Sequence, residues 1–273
     1  MDETIRVIAA GSAAGGTGQT SFAVNIAVEL AKSGKKTVLV DADAAFGDGA
    51  LFLHLQPHLT LKEAAERQDS SRIADYCLKH ESGLFLLAAP VRPEFAELIT
   101  ADFFADAIDS LRQTFDVIVI DAGTGLHALS LPSFELADQI YAVTAPGLAR
   151  MKNTKLFVDT MEALELKEKL ALVSVEQKRK AFVKPAEAAV ICAAERLVVL
   201  PNAADELAES METGVPVVVS HPRGAYAGAI RSEIRHLFEP KPALPEKLRK
   251  WTKWKEMKRH EPARKAAVKE SDI

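Results

Sequence analysis

The sequence predicts an α/β fold, a three-layer sandwich in which a mainly parallel sheet lies between two layers of helices. Short apolar runs rich in Val, Ile and Leu do not alternate with polar residues, which is typical of parallel strands buried on both faces. Segments with helical periodicity separate these runs along the chain. With 273 residues, 48% of them hydrophobic and 26% charged, the chain can form one sizeable core.

The predicted strands are the apolar runs Ile5–Ala10, Thr37–Val40, Leu84–Leu87, Asp116–Ile120, Gln139–Val143, Leu170–Val175, Leu197–Leu200 and Val217–Val219. The predicted helices between them include Thr20–Ser33, Thr100–Phe115, Lys152–Leu164 and Ala203–Thr213. Thr100 is a candidate N-cap, and Gly214 with Pro216 ends the last helix before the final strand. Because strands and helices alternate, ligands are expected at the carboxyl ends of the strands.

Charge divides the chain into a predicted domain of residues 1–239 and a basic tail of residues 240–273. The net charge is −4, but the segment from Lys241 onward has eleven Lys or Arg against five Asp or Glu. Apolar residues recur in the tail every three or four positions and include Trp251 and Trp254, as in a short interfacial helix. Two interpretations stay open: the tail contacts a membrane surface or another anionic partner, or it packs on the domain or on a protein partner.

Several classes of protein are excluded by the composition. No run of about 18 apolar residues is present, so no membrane-spanning helix is predicted. The first residues are acidic, unlike a secretory signal, and Cys77 and Cys192 lack a partner motif, so a cytoplasmic location is expected. The histidines show no metal-ligand spacing, and the acidic body argues against nucleic-acid binding.

A glycine-rich loop follows the first predicted strand and leads directly into a predicted helix. The loop spans Gly11–Ser21 and has the strand–loop–helix context that a phosphate loop requires. Glycines allow several backbone N–H groups to face one anion, and the helix N-terminus adds about half a positive charge. Thr20 is placed to bind Mg²⁺ through its hydroxyl.

This loop resembles the deviant phosphate loop of the MinD/ParA family of the SIMIBI class, which reads Lys-Gly-Gly-x-Gly-Lys-Thr-Thr/Ser. Here Ala14 stands at the position of the lysine that reaches across the dimer, and Gln19 at that of the phosphate-binding lysine. The resemblance implies a P-loop NTPase-like sandwich that binds ATP and Mg²⁺, with nucleotide contacts at Gly15, Gly16, Thr17, Gly18, Gln19, Thr20 and Ser21. Losing two charge-assisted contacts predicts roughly 3–6 kcal/mol weaker binding or catalysis.

Two acidic segments match the switch regions of the family. Asp41 and Asp43 match the Asp-x-Asp of switch I, in which the first carboxylate aids the metal shell and the second orients the attacking water. Asp121 ends a predicted strand and matches the Walker B aspartate, and Gly125 matches the glycine whose N–H approaches the γ-phosphate. The resemblance therefore implies Mg²⁺ ligands at Thr20, Asp41 and Asp121, and a catalytic role for Asp43 if the enzyme is active.

The expected base-recognition region follows the last but one predicted strand. Pro201 and Asn202 resemble the family's Pro-x-Asp region, which packs near adenine. The family's Asn-Arg pair after the preceding strand is replaced here by Val175 and Glu176, so the amide that recognises adenine is missing. The chain thus departs from the family pattern at a third point of the nucleotide pocket.

Within the family, the chain most resembles the CpaE/TadZ branch, in residues 41–48, 51–53, 84–93, 115–125 and 136–144. Members of that branch place tight-adherence pili or related secretion machinery in the cell. The resemblance implies a homodimeric localisation or assembly factor with pilus or secretion proteins as partners and weak or absent ATP hydrolysis. The alternative is an active ATPase that positions cellular machinery by nucleotide-dependent dimerisation. Either is expected in the cytoplasm or, through the tail, peripherally at the inner face of the membrane.

Overall fold

The computed structural model describes residues 6–176 and 183–238, which form an α/β sandwich around an eight-stranded sheet. The strands are β1 (Val7–Ser12), β2 (Thr37–Asp41), β3 (Leu78–Lys79), β4 (Phe85–Leu87), β5 (Val117–Thr124), β6 (Gln139–Thr144), β7 (Leu170–Val175) and β8 (Leu197–Leu200). The sheet order is β3-β4-β2-β5-β1-β6-β7-β8, and every pairing is parallel except that of β3 with β4. The predicted fold class is therefore confirmed.

Helices cover both faces of this sheet. In the described residues the α-helices are α1 (Gln19–Lys32), α2 (Leu61–Glu66), α3 (Ala101–Leu111), α4 (Ser130–Leu136), α5 (Leu148–Ala163), α6 (Pro185–Ile191), α7 (Ala204–Thr213), α8 (Val217–Ser220) and α9 (Ala225–Phe238). Shorter 3-10 helices lie at Leu51–Leu53, Ser70–Tyr76, Pro93–Leu98 and Lys167–Lys169. Within the described ranges, no helix has the length and apolar character needed to cross a membrane.

Two hydrophobic cores lie on opposite faces of the sheet, because successive side chains of a strand point to opposite faces. In β1, Val7 and Ala9 face one core, whereas Ile8 and Ala10 face the other. The first core is closed mainly by α2, α3 and α5, and the second by α1, α8 and α9. Burial on both faces explains why the strand sequences are continuously apolar rather than alternating.

Parallel pairing brings the carboxyl ends of the central strands to one edge of the sheet. β1 lies between β5 and β6, and β2 lies on the other side of β5. The register pairs Ala10 of β1 with Asp121 of β5, and Asp121 with Asp41 of β2. The three strand ends therefore place the glycine-rich loop and two acidic residues side by side, as expected for a ligand site in an open parallel sheet.

The prediction of a final strand at Val217–Val219 is wrong, because these residues belong to the helical turn α8. Pro216 precedes the turn, and the Val218 N–H donates to the Asn25 side-chain oxygen of α1 at 3.0 Å. Val217 and Val218 are fully buried in the second core. A run of three apolar residues has no period by which a buried turn could be distinguished from a buried strand.

Other element boundaries differ from the predictions by a few residues. β5 continues past its predicted end to Thr124, so Asp121 lies inside the strand. The sequence does not indicate the antiparallel edge strand Leu78–Lys79, which has only two residues. The Thr100 cap is confirmed, because its hydroxyl accepts a hydrogen bond from the Phe103 N–H at 3.2 Å.

Two predictions concern residues beyond Phe238. The domain boundary after residue 239 and the basic tail of residues 240–273, with Trp251 and Trp254, lie outside the described residues.

The two cysteines of the domain, Cys77 and Cys192, are free thiols, and burial raises the pKa of the Cys77 thiol to about 12. A thiol with so high a pKa is a poor nucleophile, so Cys77 is expected to act in packing.

Candidate functional site

The glycine-rich loop joins the end of β1 to the start of α1, and its conformation depends on glycine. Gly16 and Gly18 have φ angles of +65° and +85°, which residues with a Cβ atom rarely adopt. Ser12 holds the loop from inside, since its hydroxyl donates to the Ala14 carbonyl at 2.7 Å and accepts from the Thr17 hydroxyl at 3.0 Å. The sequence does not indicate this role of Ser12, because one serine before a glycine run is not a distinctive pattern.

The outward side of the loop is open to a ligand. A Cβ atom placed on Gly15 or Gly18 would meet no atom within 4 Å. The 14-residue helix α1 begins directly after Gly18, so the positive end of its dipole lies at the same place. Open space, exposed backbone and a helix N-terminus together make the loop suitable for a phosphate group.

Gln19 is the first residue of α1, and its side chain turns toward the sheet rather than toward the open space. Its amide nitrogen donates to the Ala10 carbonyl at 2.9 Å and also to the Asp121 carboxylate. The side chain is buried. An amide nitrogen has two hydrogens, so these two acceptors occupy both of them. A nucleotide contact at Gln19 is expected from the sequence, but in this conformation both hydrogens of its amide nitrogen are engaged within the protein.

Asp41 and Asp121 form a buried pair of carboxylates beneath the loop. They are register partners on β2 and β5, and each is only 1% exposed. Asp41 accepts one hydrogen bond from the Gly49 N–H at 2.9 Å, and Asp121 accepts one from the Gly123 N–H at 3.2 Å. The second oxygen of Asp41, Oδ1, is buried and has no hydrogen-bond partner. Such an oxygen is costly unless a ligand or a cation completes its surroundings.

The pKa values of both acids reflect this environment. Burial raises the pKa of Asp121 to about 6, against the opposing effect of hydrogen bonds from Thr20, Gly123 and Gln19. Burial also raises the pKa of Asp41 well above its usual range, and the negative charge of Asp121 adds to the increase. In the described part of the chain, no lysine or arginine forms an ion pair with either acid. The pair therefore lacks a balancing cation.

Asp43 and Gly125, the other two predicted switch residues, are both engaged within the protein. The Asp43 carboxylate accepts a hydrogen bond from the Phe46 N–H at 3.2 Å. It lies so close to Gly123 that a Cβ atom there would be 3.0 Å from it. The Gly125 N–H donates to the Ser12 carbonyl at 2.7 Å, so switch II is tied to the phosphate loop. The structure thus brings loop and switches together, but the N–H expected to face a γ-phosphate is already bonded.

Comparison with known families agrees with this geometry. A family model described as an AAA domain matches residues 5–173, which include the loop, both switch regions and β1 to β6. The chain belongs to this family. Within it, the matched relatives and structures support a P-loop protein of the MinD/ParA type.

The matched MinD/ParA-type relatives include two septum site-determining proteins MinD. The one from Thermotoga maritima is 25% identical over 219 residues, which are 77% of this chain and 80% of that protein. The one from Synechocystis is 27% identical over 163 residues, which are 59% and 61%. An uncharacterized ATP-binding protein of Methanocaldococcus jannaschii is 30% identical over 143 residues, which are 52% and 54%. The matched region thus spans less than two thirds of the length of the Synechocystis and Methanocaldococcus proteins.

Solved MinD/ParA structures share the fold. A ParA family ATPase from Chlorobium tepidum aligns with a TM-score of 0.76 and 21% identity, covering 86% of this chain and all of that one. The cell division ATPase MinD of Pyrococcus furiosus aligns with a TM-score of 0.75 and 23% identity, covering 85% and 99%. At these identities the similarity shows the architecture alone.

The glycine-rich loop has no basic side chain of its own, and Ala14 and Gln19 stand where the family pattern that it resembles has lysines. A basic residue from another element does approach it. A Cβ atom placed on Gly16 would lie 3.9 Å from the Nη2 atom of Arg150, in the first turn of α5. The sequence does not indicate this contact of Arg150, because the residue is far from the loop along the chain.

Pro201 and Asn202, the predicted base-recognition residues, follow β8 at the same edge of the sheet, but β6 and β7 separate that strand from β1. The Asn202 amide nitrogen donates to the Glu176 carbonyl at 3.1 Å, and its side-chain oxygen is buried without a partner. The structure therefore does not bring this pair into the group formed by the loop and the switches. It does join Asn202 to the segment that replaces the family's Asn-Arg pair.

Proposed function

We propose that this chain is a MinD/ParA-type localisation or assembly factor that binds a nucleotide with Mg²⁺ and hydrolyses it slowly or not at all. The observation that carries the proposal is the position of Gln19. Both hydrogens of its amide nitrogen are directed to Ala10 and Asp121 inside the protein. The loop has kept the glycine conformations needed to surround a phosphate, but it lacks the charge that would stabilise a transition state.

The residues beneath the loop fit a magnesium ion. Mg²⁺ prefers oxygen ligands and is usually held by one or two carboxylates together with substrate phosphates. Asp41, Asp121 and the Thr20 hydroxyl supply such oxygens, and the unpartnered Oδ1 of Asp41 is the atom most in need of a cation. In the described residues, no group of three or more His, Cys, Asp or Glu could hold a metal alone, so a site shared with a nucleotide is the better fit. The bound ion would supply positive charge to the acids and to the phosphates.

Slow hydrolysis follows from contacts that hold the catalytic candidates. Asp43 is bonded to the Phe46 N–H, and the Gly125 N–H is bonded to the Ser12 carbonyl. The Gly125 contact must open before its N–H can meet a phosphate, and the contact of Asp43 occupies one of the two carboxylate oxygens that could orient a water molecule. Loss of two charge-assisted contacts adds a penalty of roughly 3–6 kcal/mol, which corresponds to about 10²- to 10⁴-fold in rate.

An exposed apolar rim around the loop supports self-association through this face. The rim comprises Phe46, Val91, Leu126 and Leu148, which follow β2, β4, β5 and β6 and so lie at the carboxyl edge of the sheet. Phe46 is 76% exposed and Leu148 is 81% exposed. Large apolar side chains grouped around a ligand site favour a protein interface. We infer a homodimer in which two nucleotide sites face each other, as the family resemblance implies.

The partner class is inferred from the resemblance to the CpaE/TadZ branch, which points to pilus or secretion machinery. Proteins with other roles share the fold, among them the MinD of a MinC:MinD cell division protein complex from Aquifex aeolicus. A positioning role is common to these alternatives. Contact of Trp251 and Trp254 with a membrane surface remains a prediction for the tail.

The test is a calorimetric titration of the full chain with Mg-ATP and Mg-ADP, with phosphate release and sedimentation velocity measured on the same samples. Binding with little or no phosphate release, together with a shift from monomer to dimer, is the expected result. Asp41→Asn should weaken nucleotide binding only when Mg²⁺ is present, whereas Asp75→Asn, which lies in an exposed ion pair with Arg72, should leave it unchanged.

Two other outcomes would decide against the proposal. Turnover at about 1 s⁻¹ or faster, the lower end of typical enzyme rates, would favour the alternative of an active positioning ATPase. No heat of binding at millimolar nucleotide would mean that the fold serves as a scaffold. The unpartnered Asp41 oxygen argues against that second outcome, because a pure scaffold would gain stability by replacing it.

A further inference from the structure

Arg150 lies next to the phosphate loop although it is far from it in the sequence. It belongs to the first turn of α5, which follows β6 through a short turn containing Pro146 and Gly147. Because β6 is the direct neighbour of β1, this turn and the loop emerge side by side from the carboxyl edge of the sheet. The topology therefore positions a basic residue beside the loop.

The guanidinium group of Arg150 is close to the loop backbone and forms one hydrogen bond with the residues that the structure describes. Its Nη2 atom would be 3.9 Å from a Cβ atom placed on Gly16, and Gly16 is exposed. Its Nη1 atom donates to the Pro146 carbonyl at 3.4 Å, which is a long hydrogen bond. A guanidinium has five N–H donors, so within the described ranges most of them are left for a ligand on the open side of the loop.

Arg150 also differs from the comparable arginines of the described residues, because none of the carboxylates described there forms an ion pair with it. The half-buried arginines there are Arg112, Arg150, Arg196 and Arg231. Arg112 and Arg231 have carboxylate oxygens at 3.4 Å and 3.7 Å, and Arg196 contacts Glu233. A half-buried guanidinium without a carboxylate partner, beside exposed glycine backbone, is arranged to bind an anion from solution.

We propose that Arg150 binds the phosphates of the nucleotide in place of the loop lysine that Gln19 has replaced. This inference rests on the proposed nucleotide binding and assigns its missing positive charge to a residue of another element. An arginine suits the position because its planar fork can form two parallel hydrogen bonds with a phosphate. It reaches the loop from beside Gly16, so it needs no space beneath the loop, where Gln19 and the acids lie.

The experiment compares Arg150→Ala, Arg150→Lys and Lys152→Ala with the parent chain by calorimetric titration with Mg-ADP and Mg-ATP. Lys152 is exposed on the same helix, so its removal controls for a general loss of positive charge. Arg150→Ala should lower affinity about 10- to 100-fold, the size of one charge-assisted contact. Arg150→Lys should recover part of the loss, since a lysine keeps the charge but not the fork. Lys152→Ala should change affinity less than about twofold.

The failure of the inference can be distinguished from that of the proposed function. If the parent chain binds no nucleotide at millimolar concentration, nucleotide binding itself is wrong, and the assignment of Arg150 falls with it. If the parent binds and Arg150→Ala binds equally well, only the assignment is wrong. Equal losses in Arg150→Ala and Arg150→Lys, with unchanged melting temperatures, would also overturn it. A loss in Lys152→Ala as large as that in Arg150→Ala would show a nonspecific effect of charge.

Discussion

Buried acidic side chains lie at both edges of the sheet, and the two groups differ in whether a cation accompanies them. At the amino edge, where the amino ends of the parallel strands lie, Glu233 of α9 accepts a hydrogen bond from the Tyr141 hydroxyl and pairs with Arg196. Arg196 in turn donates to the Gln139 side-chain oxygen at 2.8 Å. At the carboxyl edge, Asp41 and Asp121 have backbone and amide donors but no cation among the described residues.

The difference separates a structural network from a ligand site. A buried carboxylate is tolerated when a cation and hydrogen bonds replace its water, and Glu233 has both. Asp121 has hydrogen bonds alone, and burial raises its pKa to about 6. Perturbed acids in an open site are candidates for function, because an external cation can complete them. A buried acidic residue therefore indicates a ligand site when no cation of the protein accompanies it, and not merely because it is acidic.

The largest effect is expected at the amino edge, where Arg196→Met would leave Glu233 buried without its cation. Removing one partner of a buried ion pair typically lowers the free energy of unfolding by about 3–5 kcal/mol, and we expect a value near the lower end because Arg196 is partly exposed. Urea denaturation measures the change. Replacing Glu233 with Gln as well should recover much of the loss.

The matched control for Arg196→Met is Arg72→Ala, which breaks the exposed pair of Arg72 with Asp75. Surface pairs contribute little, so the control should lose less than about 1 kcal/mol. If the free energy of unfolding falls by the same small amount in both variants, the stability of the amino edge does not depend on its cation. The contrast between the two edges would then have no energetic basis.

The next effect is a dependence of stability on pH that arises at the carboxyl edge. The folded pKa of Asp121 is about 6, whereas an unfolded aspartate titrates near 3.9. Between these values the folded state binds more protons, so this residue destabilises the fold progressively as pH rises through the window. The contribution reaches about 3 kcal/mol above the folded pKa, since each pKa unit corresponds to about 1.4 kcal/mol.

This contribution is measured by comparing the melting temperatures of the parent chain and of Asp121→Asn between pH 4.5 and 7, in buffer that contains a metal chelator. The melting temperature of the variant should rise relative to that of the parent chain as pH rises, because the variant has no carboxylate to ionise at this position. Saturating Mg²⁺ should reduce the difference if the ion balances the acids. Parallel curves for the two proteins would show that Asp121 titrates normally, and the carboxyl edge would then not be short of a cation.

Much of this architecture could be predicted from the sequence because it depends on local patterns. The runs at β7 and β8 match the observed strands residue for residue, since continuous apolar runs between turn signals allow few alternatives. Asp41 and Asp121 could be placed together because parallel strands end at one edge. The glycine loop could be recognised by its position between a strand and a helix.

The rest could not be predicted, because it depends on side-chain direction and on contacts between distant residues. Nothing in the sequence indicates that the Gln19 amide turns inward to Asp121, 102 residues away. The position of Arg150 beside Gly16 follows from the strand order, which periodicity alone does not give. Val217–Val219 forms a helical turn because Asn25 caps it, and that contact also spans most of the chain.

The substitution Gln19→Lys would give the carboxyl edge a cation of its own and so remove the difference between the two edges. In Gln19→Lys, the ammonium group would start from a position beside the Asp121 carboxylate and beneath the loop. We expect nucleotide affinity to rise by about 1.5–3 kcal/mol, or about 10- to 100-fold, the size of one charge-assisted hydrogen bond. The pKa of Asp121 should fall, because a neighbouring positive charge favours the ionised carboxylate. Titration with Mg-ATP and the pH series above measure the two changes.

Gln19→Met is the control, because it preserves the length of the side chain but removes its donors. It should lose the bonds to Ala10 and Asp121 and raise the pKa of Asp121 further, since one of the hydrogen bonds that lower it is gone. If Gln19→Lys flattens the pH dependence without improving nucleotide affinity, the missing charge matters for the acids and not for the ligand. In that case the lysine was lost without cost to binding, and Arg150 or the loop backbone already provides all the affinity that the site can use.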